Sequence, residues 1–260
     1  MTTVKDIIDI IEAFAPPALA EDWDNPGLAV GDCSAPVTKV LTALDCDENV
    51  VLEAAGKGCD MIVCHHPLIF RPLSFVTTEN EVGKVVLEAA KRGIAVYSAH
   101  TNLDCAEGGI NDYLCALLGI ENVAVCEDIG EGNLIRIGEI APRTFGEYAK
   151  TLAKKLGKKY IRCVGDINKT VSRVGICSGG GGDYIAEMAE KCDLYITGDV
   201  KYHMARCADE CGLCVAVAEH FETEHFTKEI FRDILAKQGV EAVCSEANID
   251  VMYDIFIDKD

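Results

Sequence analysis

The N-terminal stretch MTTVKDIIDIIEAF sets Asp6, Asp9 and Glu12 among apolar residues, the pattern of an amphipathic helix over Val4 to Phe14 that stops at Pro16-Pro17. The segment after it, Glu21-Asp22-Trp23-Asp24-Asn25-Pro26-Gly27-Leu28, is rich in turn formers and reads as a loop. Beyond it, short β-branched runs alternate with helical stretches, the signature of βαβ units and a largely parallel sheet. The first half predicts strands at Lys39 to Asp45, Asp60 to Cys64, Ile94 to Ala99 and near Val123, with helices over Glu48 to Gly56, Glu79 to Arg92 and Ile110 to Leu118. The second half predicts a strand from Leu134 to Ile140, a helix from Phe145 to Leu156 and strands at Lys159 to Val164, Arg173 to Cys177 and Cys192 to Thr197. The fold class is α/β.

The two halves can be laid beside each other. Val40 and Asp60 stand 20 residues apart and Val174 and Asp193 stand 19 apart, each pair spanning a strand, a helix and the start of the next strand. This suggests an internal duplication, with two similar α/β lobes facing each other across a cleft. The first lobe is expected over residues 1–129 and the second over 130–245, divided at a Gly-rich seam around Gly130 and Gly132. Further strands are expected near Val240 to Val243 and over Val251 to Phe256, and a C-terminal strand within residues 246–260 is assigned to completing the first lobe.

Composition narrows the function classes. The 24 Lys and Arg against 43 Asp and Glu leave a formal net charge of −19, which repels a phosphate backbone and disfavours nucleic-acid binding. With 49% apolar residues the chain can bury a core and is not a disordered tail. No run is long and apolar enough for a membrane helix, and the N-terminus lacks the uninterrupted apolar stretch of a signal peptide, so a cytoplasmic location without membrane partners is expected. The 14 cysteines are expected to be reduced, most of them packing as small hydrophobes, as in the apolar runs around Cys64, Cys163, Cys177 and Cys244. Cys211-Gly-Leu-Cys214, close to Cys207, has the spacing of a redox pair or half a zinc knuckle, but no second CxxC completes a zinc site.

The six histidines fall in four patches, His65-His66, His100, His203, and His220 with His225, and each patch follows a predicted strand. Functional groups in open α/β sheets lie beyond the carboxyl ends of strands, where patches from different strands converge. Adjacent His65 and His66 cannot both be comfortably buried on a continuing strand, whereas at a strand end both can turn into one cavity and serve two neighbouring metals. The next patch supplies His100, Asn102 and Asp104 on an apparent turn; Thr-Asn-x-Asp is also a common capping turn. His220 and Glu224 stand four apart and can aim at one point on a helix. His203, after Gly198-Asp199, reads either as a cavity-lining acid or base or as part of a helix start capped by Asp199. The Ser178-Gly179-Gly180-Gly181-Gly182-Asp183 loop lacks the Lys-Ser/Thr of a P-loop, and the cautious reading is a tight turn that lets backbone pass close to a metal site.

The combination of Trp23-Asp24-Asn25-x-Gly27-Leu28, Thr42-Ala43-Leu44-Asp45, His65-His66-Pro67, His100-Thr101-Asn102-Leu103-Asp104, Gly198-Asp199 and the HxxxE of His220 and Glu224 resembles the Nif-three-like family of dinuclear metal proteins, often labelled GTP cyclohydrolase 1 type 2 homologues. The resemblance covers almost the whole chain. It implies a two-lobed α/β subunit, a cytoplasmic homohexamer whose sites face an internal cavity, and two divalent ions (Zn, Fe, Mn, Ni or Co) per subunit. The ligands it implies are His65, His66, Asp104, His220 and Glu224, with Glu224 as the bridge. One departure concerns the residue before the last His, commonly a small one and often Gly, which here is Glu219, with Glu222 and His225 nearby.

Two functions follow. The first is a metal-dependent hydrolase acting on a nucleotide or phosphorylated small molecule, GTP cyclohydrolase-like by resemblance, with His100 and His203 as candidates for proton transfer. The second is a non-enzymatic metal-binding or regulatory interaction protein, whose ions hold the lobes together.

Overall fold

The computed structural model describes residues 1–127, 129 and 133–255; the seam at Gly130 and Gly132 lies outside them. In chain order the first part holds α1 (Val4–Phe14), β1 (Gly27–Val30), β2 (Lys39–Ala43), α2 (Glu48–Gly56), β3 (Met61–Cys64), α3 (Glu81–Arg92), β4 (Ala95–Ser98), α4 (Thr101–Cys105), α5 (Ile110–Leu118) and β5 (Glu121–Val125). The second part holds β6 (Arg136–Thr144), α6 (Phe145–Lys155), β7 (Arg162–Val164), β8 (Thr170–Cys177), α7 (Ile185–Met188), β9 (Leu194–Thr197), α8 (Tyr202–Cys211), β10 (Cys214–Val217), α9 (His220–Glu224), α10 (Thr227–Lys237) and β11 (Glu241–Cys244).

These strands form two sheets, in the orders β1-β4-β3-β2-β11 and β5-β6-β8-β9-β10-β7. The duplication is visible in their topology. Strands β2, β3 and β4 run parallel with β1 antiparallel on the edge, and β8, β9 and β10 run parallel with β7 antiparallel on the edge. The repeat extends to single hydrogen bonds. The Asp60 carboxylate, just before β3, accepts from the Thr38 and Lys39 amides and the Thr38 hydroxyl; Asp193, just before β9, accepts from the Ser172 and Arg173 amides and the Ser172 hydroxyl.

Strands β3, β4 and β9 are buried at every position because helices cover both faces of their sheets, which is why they read as continuous apolar runs. One face of each sheet joins a shared core with α1, α10, α5 and α6. The opposite faces pack against α2 and α3 in one lobe and α7 and α8 in the other. Among the described residues no helix is long and apolar enough to cross a membrane.

Several expectations need correction. Gly27 and Leu28, read as the end of a loop, open the edge strand β1; it has only four half-buried residues and a register shift, too little to show a strand period. Two strands cross the division expected at residue 130: β5 pairs with β6 in the second sheet and β11 with β2 in the first. Val251–Ile255 form no strand, and Phe256 lies outside the described residues; β11 occupies the edge that residues 246–260 were assigned to complete. All 14 cysteines are free and eight are buried, but Cys163 is exposed because β7 is an edge strand.

Asp60→Ala and Asp193→Ala each remove an acceptor of three charge-assisted bonds that tie neighbouring parallel strands. Each is expected to lower unfolding free energy by about 2 kcal/mol. Urea titration checks this; equal midpoints for variant and parent would refute it.

Candidate metal centre

The parallel strands β3, β4 and β10 end on the same side of the molecule, and the side chains just beyond them meet. His65 and His66 follow β3, where both backbone amides still donate to the turn after β2, to Ala43 and Leu44 carbonyls. His100 caps α4 and Asp104 lies one turn on; His220 opens α9 and Glu224 lies one turn on. The two lobes therefore contribute the same device, a histidine with a carboxylate four residues later on a five-residue helix.

Each imidazole is held through Nδ1 by an acceptor. His65 donates to the Ala99 carbonyl at 2.9 Å, His66 pairs with Asp45 at 2.6 Å, His100 with Asp24 at 2.8 Å and His220 with Asp199 at 2.6 Å. This leaves Nε2 as the inward nitrogen in all four, the arrangement in which a carboxylate or carbonyl orients a metal-binding histidine. Donor atoms of His65, His66 and His100 lie within 4.8 Å of one another, and so do those of His66, His220 and Glu224. A single oxygen of Glu224 stands 2.8 Å from His66 Nε2 and 2.9 Å from His220 Nε2.

The decisive contact joins His65 and Asp104. Because a carbonyl only accepts, Ala99 fixes the His65 proton on Nδ1, and Nε2 presents a lone pair. That nitrogen faces Asp104 Oδ1 at 3.5 Å, and both atoms are buried without a hydrogen-bond partner. Two buried acceptors turned toward each other fit a shared cation.

The electrostatics follow from burial and pairing. Burial, with His100 and His66 nearby, pushes His65 down to about 3, so it is neutral. Burial also opposes the charge on His66 and His220, but Asp45 and Glu224 around the first and Asp199 and Glu224 around the second outweigh it, raising each to about 10. Burial disfavours the Glu224 charge as well, and His220 and His66 hold its carboxyl well below the usual range. Asp104 is pushed well up, by burial first and then by the Glu224 charge.

Backbone comes close to these side chains. A Cβ on Gly179, which has φ +55°, would meet Glu224 Oε1 at 2.0 Å, and one on Gly198 would meet the Gly179 carbonyl at 2.6 Å and the His220 backbone at 2.9 Å. The glycine loop is thus the tight turn that lets backbone pass the cluster. Glu219 takes φ 67°, a conformation that favours glycine. Lys158 pairs with both Glu219 and Glu222 and so balances the two carboxylates beside the cluster.

His65, His66, His100, Asp104, His220 and Glu224 are brought together; His203 is not. It is exposed at the start of α8 and lines a separate small cavity with Met204 and Cys207. Asp199 is no helix cap, since α8 is capped at Lys201; it holds His220 instead. His225 packs between Phe221 and Phe226, with ring centroids at 5.2 and 3.8 Å. Cys211 is exposed and Cys214 fully buried, and both are free thiols. Sequence reasoning assigned no role to Asp24 and Asp45, although both stood in the quoted motifs; the signal that finds them, with Asp199, is one carboxylate for each Nδ1.

The model of the family described as Duf34/NIF3 (NGG1p interacting factor 3) matches residues 2–250. A Clostridium perfringens protein named GTP cyclohydrolase 1 type 2 homolog is 38% identical over 226 residues, 85% of this chain and 86% of its own length. A Schizosaccharomyces pombe protein named Protein NIF3 homolog is 31% identical over 93% of each chain. The crystal structure of a Staphylococcus aureus hypothetical protein superposes with a TM-score of 0.89 at 25% identity, covering 97% of this chain and 99% of the other.

The metal-free protein should lose stability in alkali. His66 and His220 have folded-state values near 10 against about 6.5 unfolded, so their contribution is complete below about 6.5 and is lost as pH rises through about 10. Urea titrations of chelator-treated protein should show a decline from pH 7 to 10 that is flatter in Asp45→Asn/Asp199→Asn; equal slopes would refute the assignment. Gly179→Ala should cost at least about 1–2 kcal/mol, from the left-handed backbone and the collision with Glu224, read as a lower melting temperature; an unchanged one would count against this packing.

Proposed function

The chain belongs to the Duf34/NIF3 family, and from that premise we propose that the cluster binds two divalent metal ions and serves hydrolysis of a nucleotide or phosphorylated small molecule. The observation that carries the reading is the pair of buried acceptors His65 Nε2 and Asp104 Oδ1 at 3.5 Å. His65, Asp104 and His100 would hold one ion, and His220 would hold the other. His66, whose one free nitrogen lies beside Glu224, would join His220 at the second ion, and Glu224 would be the carboxylate shared between the two. His100 is thereby moved from proton transfer to ligation, because its donor atom lies with those of His65 and His66.

Divalent ions held by such a set supply Lewis acidity, easing deprotonation of a water and polarising a phosphoryl group or ring carbon. The rest is done by the chain. Asp24, Asp45, Asp199 and the Ala99 carbonyl fix ring orientation through Nδ1, which raises ligand basicity and keeps the nitrogens aimed inward. Burial of Asp104 and Glu224 leaves their carboxylates little contact with bulk water. The name GTP cyclohydrolase 1 type 2 homolog carried by the Clostridium perfringens relative supports a purine nucleotide as the first substrate to try. The family resemblance also supports a cytoplasmic homohexamer, testable by sedimentation.

Elemental analysis of protein purified without chelator tests the centre. The native chain should carry about two transition-metal ions, and His66→Ala/Glu224→Ala should carry almost none; a native protein that is metal-free and cannot be reloaded sinks the reading. Asp45→Asn should retain metal about 10–100-fold more weakly, measured by competition with a chromogenic chelator. Hydrolysis is tested on loaded protein against a nucleotide panel. Metal bound with no turnover, and a fold lost on chelation, would favour a non-enzymatic binding protein.

A further inference from the structure

The chain's only tryptophan is left uncovered beside the cluster. Trp23 is 58% exposed and its neighbour Phe70 is 42% exposed, although burying such side chains is among the most favourable steps in folding. They are nonetheless held in place. Their rings meet edge to face with centroids 6.0 Å apart, and each lies 6.2 Å from the His100 ring, again edge to face. His100 is anchored by Asp24, the residue next to Trp23 and itself fully buried at its side chain.

Both aromatics line a cavity of about 540 Å³ that opens onto His66, His100, Asp104, His220 and Glu224. This volume suits a small molecule of nucleoside size. The second lobe contributes Leu134 and Tyr184 to the same lining, so a ligand there meets aromatic surface from both lobes. Among the described residues no lysine or arginine lines the cavity, and its charged side chains other than the cluster reduce to Asp183, which is exposed and makes no hydrogen bond or ion pair. A ligand recognised chiefly through a phosphate would find no lysine or arginine outside the cluster; a flat ring finds two held aromatic edges and faces, and a ring carrying N–H groups also finds an acceptor.

We propose that Trp23 and Phe70 form a platform on which a planar conjugated ring of the substrate stacks, and that Asp183 accepts hydrogen bonds from N–H groups of that ring. The proposal rests on the reading of the cluster as the reactive centre, and it assigns the recognition of the substrate's ring to residues that do not bind the metal. Stacking of this kind is tolerant of ring identity, so selectivity among rings falls to Asp183.

Because Trp23 is the only tryptophan, its fluorescence reports the platform directly. Metal-loaded protein is titrated with guanosine, with purine riboside, which lacks the ring N–H donors, and with ribose 5-phosphate, which lacks the ring. Guanosine should quench the emission saturably and bind more tightly than purine riboside, and ribose 5-phosphate should not quench. Phe70→Ala should weaken guanosine about tenfold, Trp23→Ala, read by calorimetry, should do the same, and Asp183→Asn should abolish the preference for guanosine over purine riboside. All variants should retain metal by elemental analysis. Absence of quenching by either ring compound with metal retained, or quenching by ribose 5-phosphate equal to that by guanosine, overturns the platform and leaves the metal centre standing. A guanosine preference that survives Asp183→Asn overturns the role of Asp183. Loss of metal from the native chain overturns the centre instead, and is distinguished by the same elemental analysis.

Discussion

Glu224 carries a carboxylate into the protein interior, and one of its oxygens lies between His66 of the first lobe and His220 of the second. A buried charge is tolerated only with close partners, and removing one partner costs more than the pair contributes. That requirement fixes how the lobes meet. The ends of β3 and β10 must stand close enough for two imidazoles to share one oxygen, so the backbone around them has no room for side chains at Gly179 and Gly198. The aspartates behind the rings follow from the same need, since a protonated imidazole facing Glu224 requires a second acceptor at Nδ1.

The duplication explains the composition of the cluster and also its asymmetry. His100 and Asp104 at the end of β4 correspond to His220 and Glu224 at the end of β10, each pair at a short helix, with His100 capping α4 and His220 opening α9. The ends of β3 and β9 have diverged. Where the first lobe places His65-His66, the second places Gly198-Asp199: the glycine makes space for the His220 backbone and the aspartate orients its ring. One copy of the repeat supplies donors, and the other copy supplies support for them. The longer arm of Glu224 compared with Asp104 accords with its reach across the interface to His66.

The parallel strands and the histidine patches were legible because they depend on local pattern: doubly covered strands read as apolar runs, and polar residues gather where those runs stop. What was hidden depended on register between distant segments. Asp24 meets His100 from 76 residues away, and Asp199 meets His220 from 21 away; neither spacing has a period to detect. His203 followed a strand like the other patches, yet β9 leads through a longer connection into α8, whose first turn faces solvent. Glu219 read as extra charge near the site. Its place is set by backbone shape, a positive-φ conformation that favours glycine, with Lys158 holding its carboxylate.

A chain of net charge −19 disfavours the approach of anions as a whole, and outside the cluster the cavity offers them only the Asp183 carboxylate. On the proposed reading, the ions in the cluster are the main positive charge that a phosphorylated substrate meets, while the aromatic platform needs no charge at all. Ring binding and phosphate binding then separate physically: the first persists after chelation, and the second depends on metal and weakens with salt. A substrate engages the site fully only when both are present, which couples recognition of the ring to loading of the centre without any change of fold.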